Sequence, residues 1–310
     1  MKDSLQAESG RSWGNVEINT TQVSALTRLF SSTVFRELAN KGRSPLLMRL
    51  LGLTESVARR QSDATVGDAL EAAFALLKTA GMRNEYVYRS ALTKKILMGK
   101  HSLRTASMLN EFRAGTCKAD LVILNGTATA YEIKSERDSL GRLANQVQNY
   151  QKVFATVNVI ASEDHIEGVR QVVPENVGIM CLSRRYQVSV EREAIDRPDC
   201  ICPVTAFESL RSVEAAEVLK ALGVAVPAVP NTQRHGVMRD LFAKLDPASL
   251  HREMVITLKR TRSLASLSDL IDQLPSSLHA AALSVPVRRS DHDRLVEAVA
   301  TPLDAAMGWA

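Results

Sequence analysis

Three charged residues set into two apolar runs give the first indication of chemistry. Asp120 opens on LVIL, and Glu132 and Lys134 lie in ATAYEIKS, just past an NGT turn. Side chains alternate along a strand, so Glu132 and Lys134 share one face while Tyr131 and Ile133 take the other. Two carboxylates on neighbouring strands can hold Mg²⁺ or Mn²⁺ through oxygen and still leave room for water and a phosphate. Asp120 and Glu132 are that pair, and the backbone carbonyl of Ile133 offers a third oxygen. A lysine beside such an ion can orient the attacking water and offset charge building on phosphorus. The plain alternative is a surface ion pair on a solvated sheet face, because E-x-K in a strand is common.

A helix is expected directly downstream, over 139–154. Leu140, Leu143, Val147, Tyr150 and Phe154 recur at helical spacing, and Asp138 is the expected N-cap. Gln146 lies at the edge of that stripe, with Tyr150 one turn later and Arg142 one turn earlier. All three are candidates for substrate contact, although an aromatic on an apolar stripe is usually core. Glu85, in NEYVYRSALTKKIL, is the candidate for a fourth acid, preferred to Glu111 because its helix precedes the strands. Glu85 also suits a helix's first turn, with Arg89 at i+4.

These residues need elements to hold them. Helices are expected over 66–81, closed by Gly81, and over 84–98, with Asn84 as N-cap and Gly99 behind. Residues 103–114 suit a strand, followed by strands at 119–124, 129–135, 156–162, 177–183 and 186–192. Before this stretch, residues 1–20 are polar, and 21–62 form a small helical element with stops at Gly42 and Gly52. After Ala194, prolines divide the chain, and helical patterns appear at 204–222, 236–245, 249–262 and 264–273, with a mixed end at 278–310.

The order acid, strand, turn, strand with acid and lysine, then helix with Gln-x-x-x-Tyr resembles the PD-(D/E)XK nuclease superfamily, in its RecB-like branch. The likeness covers 80–165 by motif and extends to 192 by strand order. Ala119-Asp120 stands where the family usually has Pro-Asp. A wider pattern is similar to a family of bacterial proteins known by a locus-tag name. It runs through Phe35-Arg36-Glu37-Leu38, Glu85-Tyr86, Glu132 to Glu136 and Asp138 to Leu143.

The resemblance implies an α/β (α+β) fold, with a restriction-endonuclease-like core and a mixed central sheet flanked by helices. It implies a 64–192 nuclease-like core between a 1–63 helical extension and a 193–310 mainly helical region. Asp120, Glu132, Glu85 and the Ile133 carbonyl would bind Mg²⁺ or Mn²⁺, Lys134 would assist the water, and Gln146, Tyr150 and Arg142 would meet the substrate. The expected activity is phosphodiester hydrolysis of nucleic acid, DNA in preference to RNA, in phage defence or mobile-element biology. The rival is an inactive module of the same fold that binds nucleic acid or a protein. A homodimer, or a partner held by the helical ends, is compatible with both.

Composition fits without deciding. The 310 residues carry a formal net charge of +5, which permits a nucleic-acid partner. Cys117, Cys181, Cys200 and Cys202 form no zinc spacing, and none of the six histidines is spaced as a ligand of another. There is no glycine-rich phosphate loop and no serine or cysteine nucleophile signature. The polar N-terminus lacks an apolar h-region, and no run is long enough to span a membrane, so a cytoplasmic location is expected.

Overall fold

The computed structural model describes residues 19–54, 64–79 and 83–309. The polar stretch 1–18, residues 55–63 and the expected stop at Gly81 lie outside them. The fold is α+β: a mixed six-stranded sheet flanked by helices, with helical additions before and after.

Four helices come first: α1 (Thr20–Leu29), α2 (Ser32–Lys41), α3 (Pro45–Thr54) and α4 (Val66–Thr79). Gly42 ends α2 at φ 68°, a left-handed cap that glycine adopts without strain. The stop expected at Gly52 is not used; α3 runs on to Thr54, whose hydroxyl caps the Leu51 carbonyl. Helix α5 (Glu85–Leu92) starts at Asn84, whose side chain accepts the Val87 N–H. It continues through a π-helical turn, Thr93–Leu97, into α6 (Met98–Lys100), so Gly99 lies inside the last turn.

The strands are β1 (Ser107–Ala114), β2 (Cys117–Leu124), β3 (Ala128–Lys134), β4 (Thr156–Ser162), β5 (Gly178–Leu182) and β6 (Val188–Arg192). The 103–114 strand begins late because Ser102 and Thr105 bond to each other in a turn. The sheet order is β1-β2-β3-β4-β5-β6. The β3–β4 and β4–β5 pairs are parallel and the other three antiparallel. A parallel pair needs a crossover. Helix α7 (Leu143–Tyr150) supplies it between β3 and β4, and α8 (Ile166–Val172), absent from the sequence reading, between β4 and β5.

Helix α7 is shorter than the expected 139–154. Asp138 does not cap it; its carboxylate takes the Ser135 N–H at 2.8 Å and the Ser135 hydroxyl at 2.6 Å, closing a turn instead. Arg142 occupies the cap position and makes no side-chain cap bond.

The helical region expected at 204–222 is two helices, α9 (Pro203–Ser209) and α10 (Ser212–Ala221). They part where the Glu214 carboxylate takes the Arg211 N–H. Then come α11 (Asn231–Phe242), α12 (Pro247–Thr261), α13 (Ser268–Gln273), α14 (His279–Ser284), α15 (His292–Ala300) and α16 (Leu303–Ala306).

Alternation along the strands divides the core in two. Leu121, Ile123, Tyr131, Ile133 and Ile160 face one layer, with α1 to α5 and α13 to α16. Val122, Leu124, Ala128, Ala130, Val157 and Val159 face the other, with α7 to α12. Helices from both the N-terminal and the C-terminal additions thus close the sheet, which is apolar on both sides as buried parallel strands require. Among the described residues no helix is long and apolar enough to cross a membrane.

Candidate active site

The β2–β3 ladder sets the site. Its pairs run from Leu124↔Ala128 to Leu121↔Tyr131 and stop there. One further step puts Asp120 across from Glu132, on the same face, as the spacing predicts. Beyond Leu121 the strands no longer pair, and the Ile133 N–H donates to the Asp120 carboxylate at 2.8 Å instead. At the matching position on β1, Glu111 has a positive φ of 49°, marking the bend in the hairpin at this level. Glu111 is exposed, pairs loosely with Lys118 at 3.6 Å, and is not part of the cluster.

Glu132 and Lys134 are not a solvated surface pair. They are 1% and 4% exposed. The Lys134 ammonium donates to Glu132 Oε1 at 2.8 Å and to Gln146 Oε1 at 3.0 Å. Tyr150 reaches the other oxygen: its hydroxyl lies 2.6 Å from Glu132 Oε2 and 2.6 Å from the Lys118 carbonyl, with one proton to give. Two strands and one helix thus join Asp120, Glu132, Lys134, Gln146 and Tyr150 in a single polar patch under an apolar layer.

Helix α7 is fixed for this task at its far end. The Asn149 side chain accepts the Thr116 N–H in the β1–β2 turn at 3.3 Å. A Cβ on Gly115, at φ 58°, would stand 2.3 Å from that Asn149 oxygen. Leu143, Val147 and Tyr150 anchor the inner stripe of α7 in the core.

The expected substrate contacts therefore divide. Tyr150 is 0% exposed and cannot reach a strand outside; it holds Glu132. Gln146 is half-buried and holds Lys134. Arg142 is exposed at the start of α7, on the rim. Glu85 begins α5, on the opposite side of the sheet. It is exposed and ion-paired with Arg89, yet its charge is felt at Asp120.

Electrostatics make the patch unusual. Burial pushes the Asp120 carboxyl up to about 7, with Glu132 and then Glu85 adding to the effect, against the Ile133 N–H and Lys134, which favour the charged form. Burial first, and Glu132 next, raise the Tyr150 phenol far above its ordinary value, so it stays a proton donor.

Among the described residues no three His, Cys, Asp or Glu side chains are grouped to hold a metal ion. The donor set nevertheless has the chemistry for one. Asp120 and Glu132 are hard oxygen donors on one face, and the surplus negative charge that lifts Asp120 is of the kind a divalent cation offsets.

The family described as bacteriophage P4 protein cII matches residues 78–277, more than half of the chain and all of the patch. Protein cII of Enterobacteria phage P4 is 27% identical over 180 residues, covering 57% of this chain and 67% of its own length. No solved structure matches.

Proposed function

The chain belongs to the bacteriophage P4 protein cII family, and we propose that it is a divalent-metal-dependent nuclease of the PD-(D/E)XK type, with a restriction-endonuclease-like core, hydrolysing phosphodiester bonds of DNA. One observation carries this reading: Asp120, Glu132, Lys134, Gln146 and Tyr150 are spread over 31 positions of sequence, yet they meet in one largely buried patch at the point where β2 leaves β3.

In this reading Asp120 and Glu132, with the Ile133 carbonyl and Glu85 at the margin, would hold Mg²⁺ or Mn²⁺. When bound, such an ion activates water and polarises the phosphate. The protein's own groups have distinct parts. Lys134 places a fixed positive charge beside the reacting phosphate and orients the water. Gln146 keeps the ammonium in place, and Tyr150 keeps the Glu132 carboxylate in one rotamer. Arg142 on the rim would meet a backbone phosphate. The phage origin of the similar protein favours mobile-element biology or phage defence as the setting.

The test is cleavage of labelled DNA and RNA with Mg²⁺, Mn²⁺ or chelator, by the wild type and by Lys134→Gln. Burial decides the choice of variant. Lys134→Ala would strip a partner from an enclosed carboxylate, whereas glutamine still donates to Glu132. Metal-dependent cleavage that drops about 10³-fold in Lys134→Gln, with circular dichroism unchanged, is the expected result. Equal cleavage by both proteins refutes the assignment.

A second reading rests on a different observation. Both Glu132 oxygens are already bonded, and Glu85 is taken by Arg89. A patch so satisfied internally suits a module that keeps the nuclease fold to bind nucleic acid or a protein. Calorimetry separates the two: no Mn²⁺ heat in the wild type, matching that of Asp120→Ala, favours the module.

A further inference from the structure

Next to the patch lies a cavity of about 260 Å³ at the carboxyl ends of the parallel strands β3, β4 and β5. Ligands of open sheets with parallel strands commonly bind at that edge. Arg83 builds the wall. It is buried, and its guanidinium donates to Glu136 Oε1 at 2.6 Å, to the Ser183 carbonyl at 2.6 Å and to the Leu182 carbonyl at 3.0 Å. Ser162, the last residue of β4, also lines the cavity. It is 1% exposed, and among the described residues its hydroxyl has no hydrogen-bond partner. A buried hydroxyl left unbonded is costly, and such groups are few in folded proteins.

The lining is balanced in charge. Lys78, Arg83 and Arg184 face Glu136, Glu163 and Asp164. Glu136 neutralises Arg83, and Arg184 stands 3.7 Å from Glu163 and 3.8 Å from Asp164. A free phosphate would meet as many acids as bases here. The lining suits a flat, uncharged group with both donors and acceptors along its edge.

The position is equally informative. The register pairs Lys134 with Ala161, the residue before Ser162, and Glu136 follows Lys134 by two, so the cavity borders the strand end that carries Lys134. We propose that the cavity between Arg83, Glu136 and Ser162 takes the nucleobase next to the cleaved bond, and that it favours bases bearing an exocyclic amine. Carboxylates only accept hydrogen bonds, so they reward guanine, cytosine and adenine, whose exocyclic amines donate; thymine has no such amine. The base enters unstacked, as bases do when a protein reads them in a pocket. The location beside a cut rests on the nuclease reading; the cavity's preference among bases does not.

The experiment has two arms on the full chain. In chelator, dGMP, dCMP, dTMP and inorganic phosphate are titrated by calorimetry into the wild type and into Ser162→Ala. The expected result is dGMP and dCMP binding at least 10-fold tighter than dTMP or phosphate, and a loss of at least 5-fold in Ser162→Ala. The thermal midpoint of Ser162→Ala should not fall, since the variant removes an unbonded hydroxyl. Equal affinity for all four ligands, or affinity that Ser162→Ala leaves unchanged, overturns the proposal. In the second arm, single-stranded oligonucleotides differing in the base beside the cut are cleaved with Mg²⁺. Cleavage blind to that base sinks the pocket and spares the nuclease reading. Selective nucleotide binding with no cleavage under any metal does the reverse.

Discussion

Two carboxylates in this chain, Glu214 and Asp120, are treated in opposite ways. Glu214 on α10 is buried and fully answered. Arg262 grips it with two hydrogen bonds of 2.7 Å, the Arg211 N–H adds one at 2.9 Å, and the Thr261 hydroxyl adds another at 3.2 Å. Burial opposes its charge, but these bonds outweigh burial and hold it below the usual carboxylate value. Asp120 has one backbone N–H, a lysine that Glu132 shares, and two neighbouring acids. It is pushed up to about 7. A carboxylate that only braces a fold is given its counter-charge by the fold. At the patch the counter-charge falls short, and that shortfall separates a candidate site from a brace.

The largest effect should come from breaking the brace. The Arg262 guanidinium also lies 5.1 Å from the Phe112 ring centre, and its carbonyl accepts the Ser107 hydroxyl at 2.6 Å, so it ties α12 to β1. Arg262→Ala leaves Glu214 buried without its cation, a change that costs about 3–5 kcal/mol. Urea unfolding should show a clearly lower midpoint. A loss under 1 kcal/mol would mean that Glu214 is no more tightly answered than Asp120, and the contrast would fail.

Tyr150→Phe probes the other side at smaller cost. It removes the donor shared by Glu132 and the Lys118 carbonyl, and the loss of a hydrogen bond to a charged group costs about 1.5–3 kcal/mol. If Tyr150 positions Glu132, the half-saturating Mn²⁺ concentration should rise about 10-fold while affinity for DNA in chelator stays the same. Were DNA affinity to fall and the metal response to hold, Tyr150 would be reaching substrate by some local opening.

That outcome bears on what the sequence could disclose. Alternation and turn chemistry place every strand to within a few residues: β5, buried along its length, is a continuous apolar run, while the exposed edge strand β6 shows itself by alternation. Opposition of Asp120 and Glu132 followed from the short Asn125-Gly126-Thr127 turn between two strands, which fixes the register. The depth of Glu132 and Lys134 did not follow. Their cover comes from the Tyr150 side of α7, together with helices beyond residue 200 that pack on the same face, and no local pattern reports a long-range lid. Asp138 closes a turn on Ser135 where its sequence position suggests a cap, because a short carboxylate serves a turn as readily as a helix start. Helix α8 was missed because it is one short amphipathic stretch with a single fully buried residue, Val169. Ser162 carried no signal at all: an unbonded hydroxyl is visible only once its neighbours are known.

The mildest test compares the two carboxylates by pH. The folded Asp120 value, about 7, exceeds its ordinary 3.8. Wild-type stability in chelator should therefore fall as pH rises from about 4 through about 7, where the unfolded chain has released a proton that the native state keeps. Asparagine cannot ionise and still offers an oxygen to the Ile133 N–H. Asp120→Asn should then be more stable than wild type at pH 8, and the gain should vanish by pH 4. The shift sets a ceiling of about 4 kcal/mol, at about 1.4 kcal/mol per unit; Asp120 is partly open to solvent, and screening brings the expected gain to about 1–2 kcal/mol. Glu214→Gln should behave in the opposite sense. Its lowered value means that stability is present above the unfolded value and lost as pH falls, so this variant should be weaker at pH 8 and approach wild type in acid. Adding saturating Mn²⁺ at pH 8 should reverse the Asp120 ranking and leave the Glu214 ranking alone, because only an unanswered carboxylate has charge to share with an incoming cation.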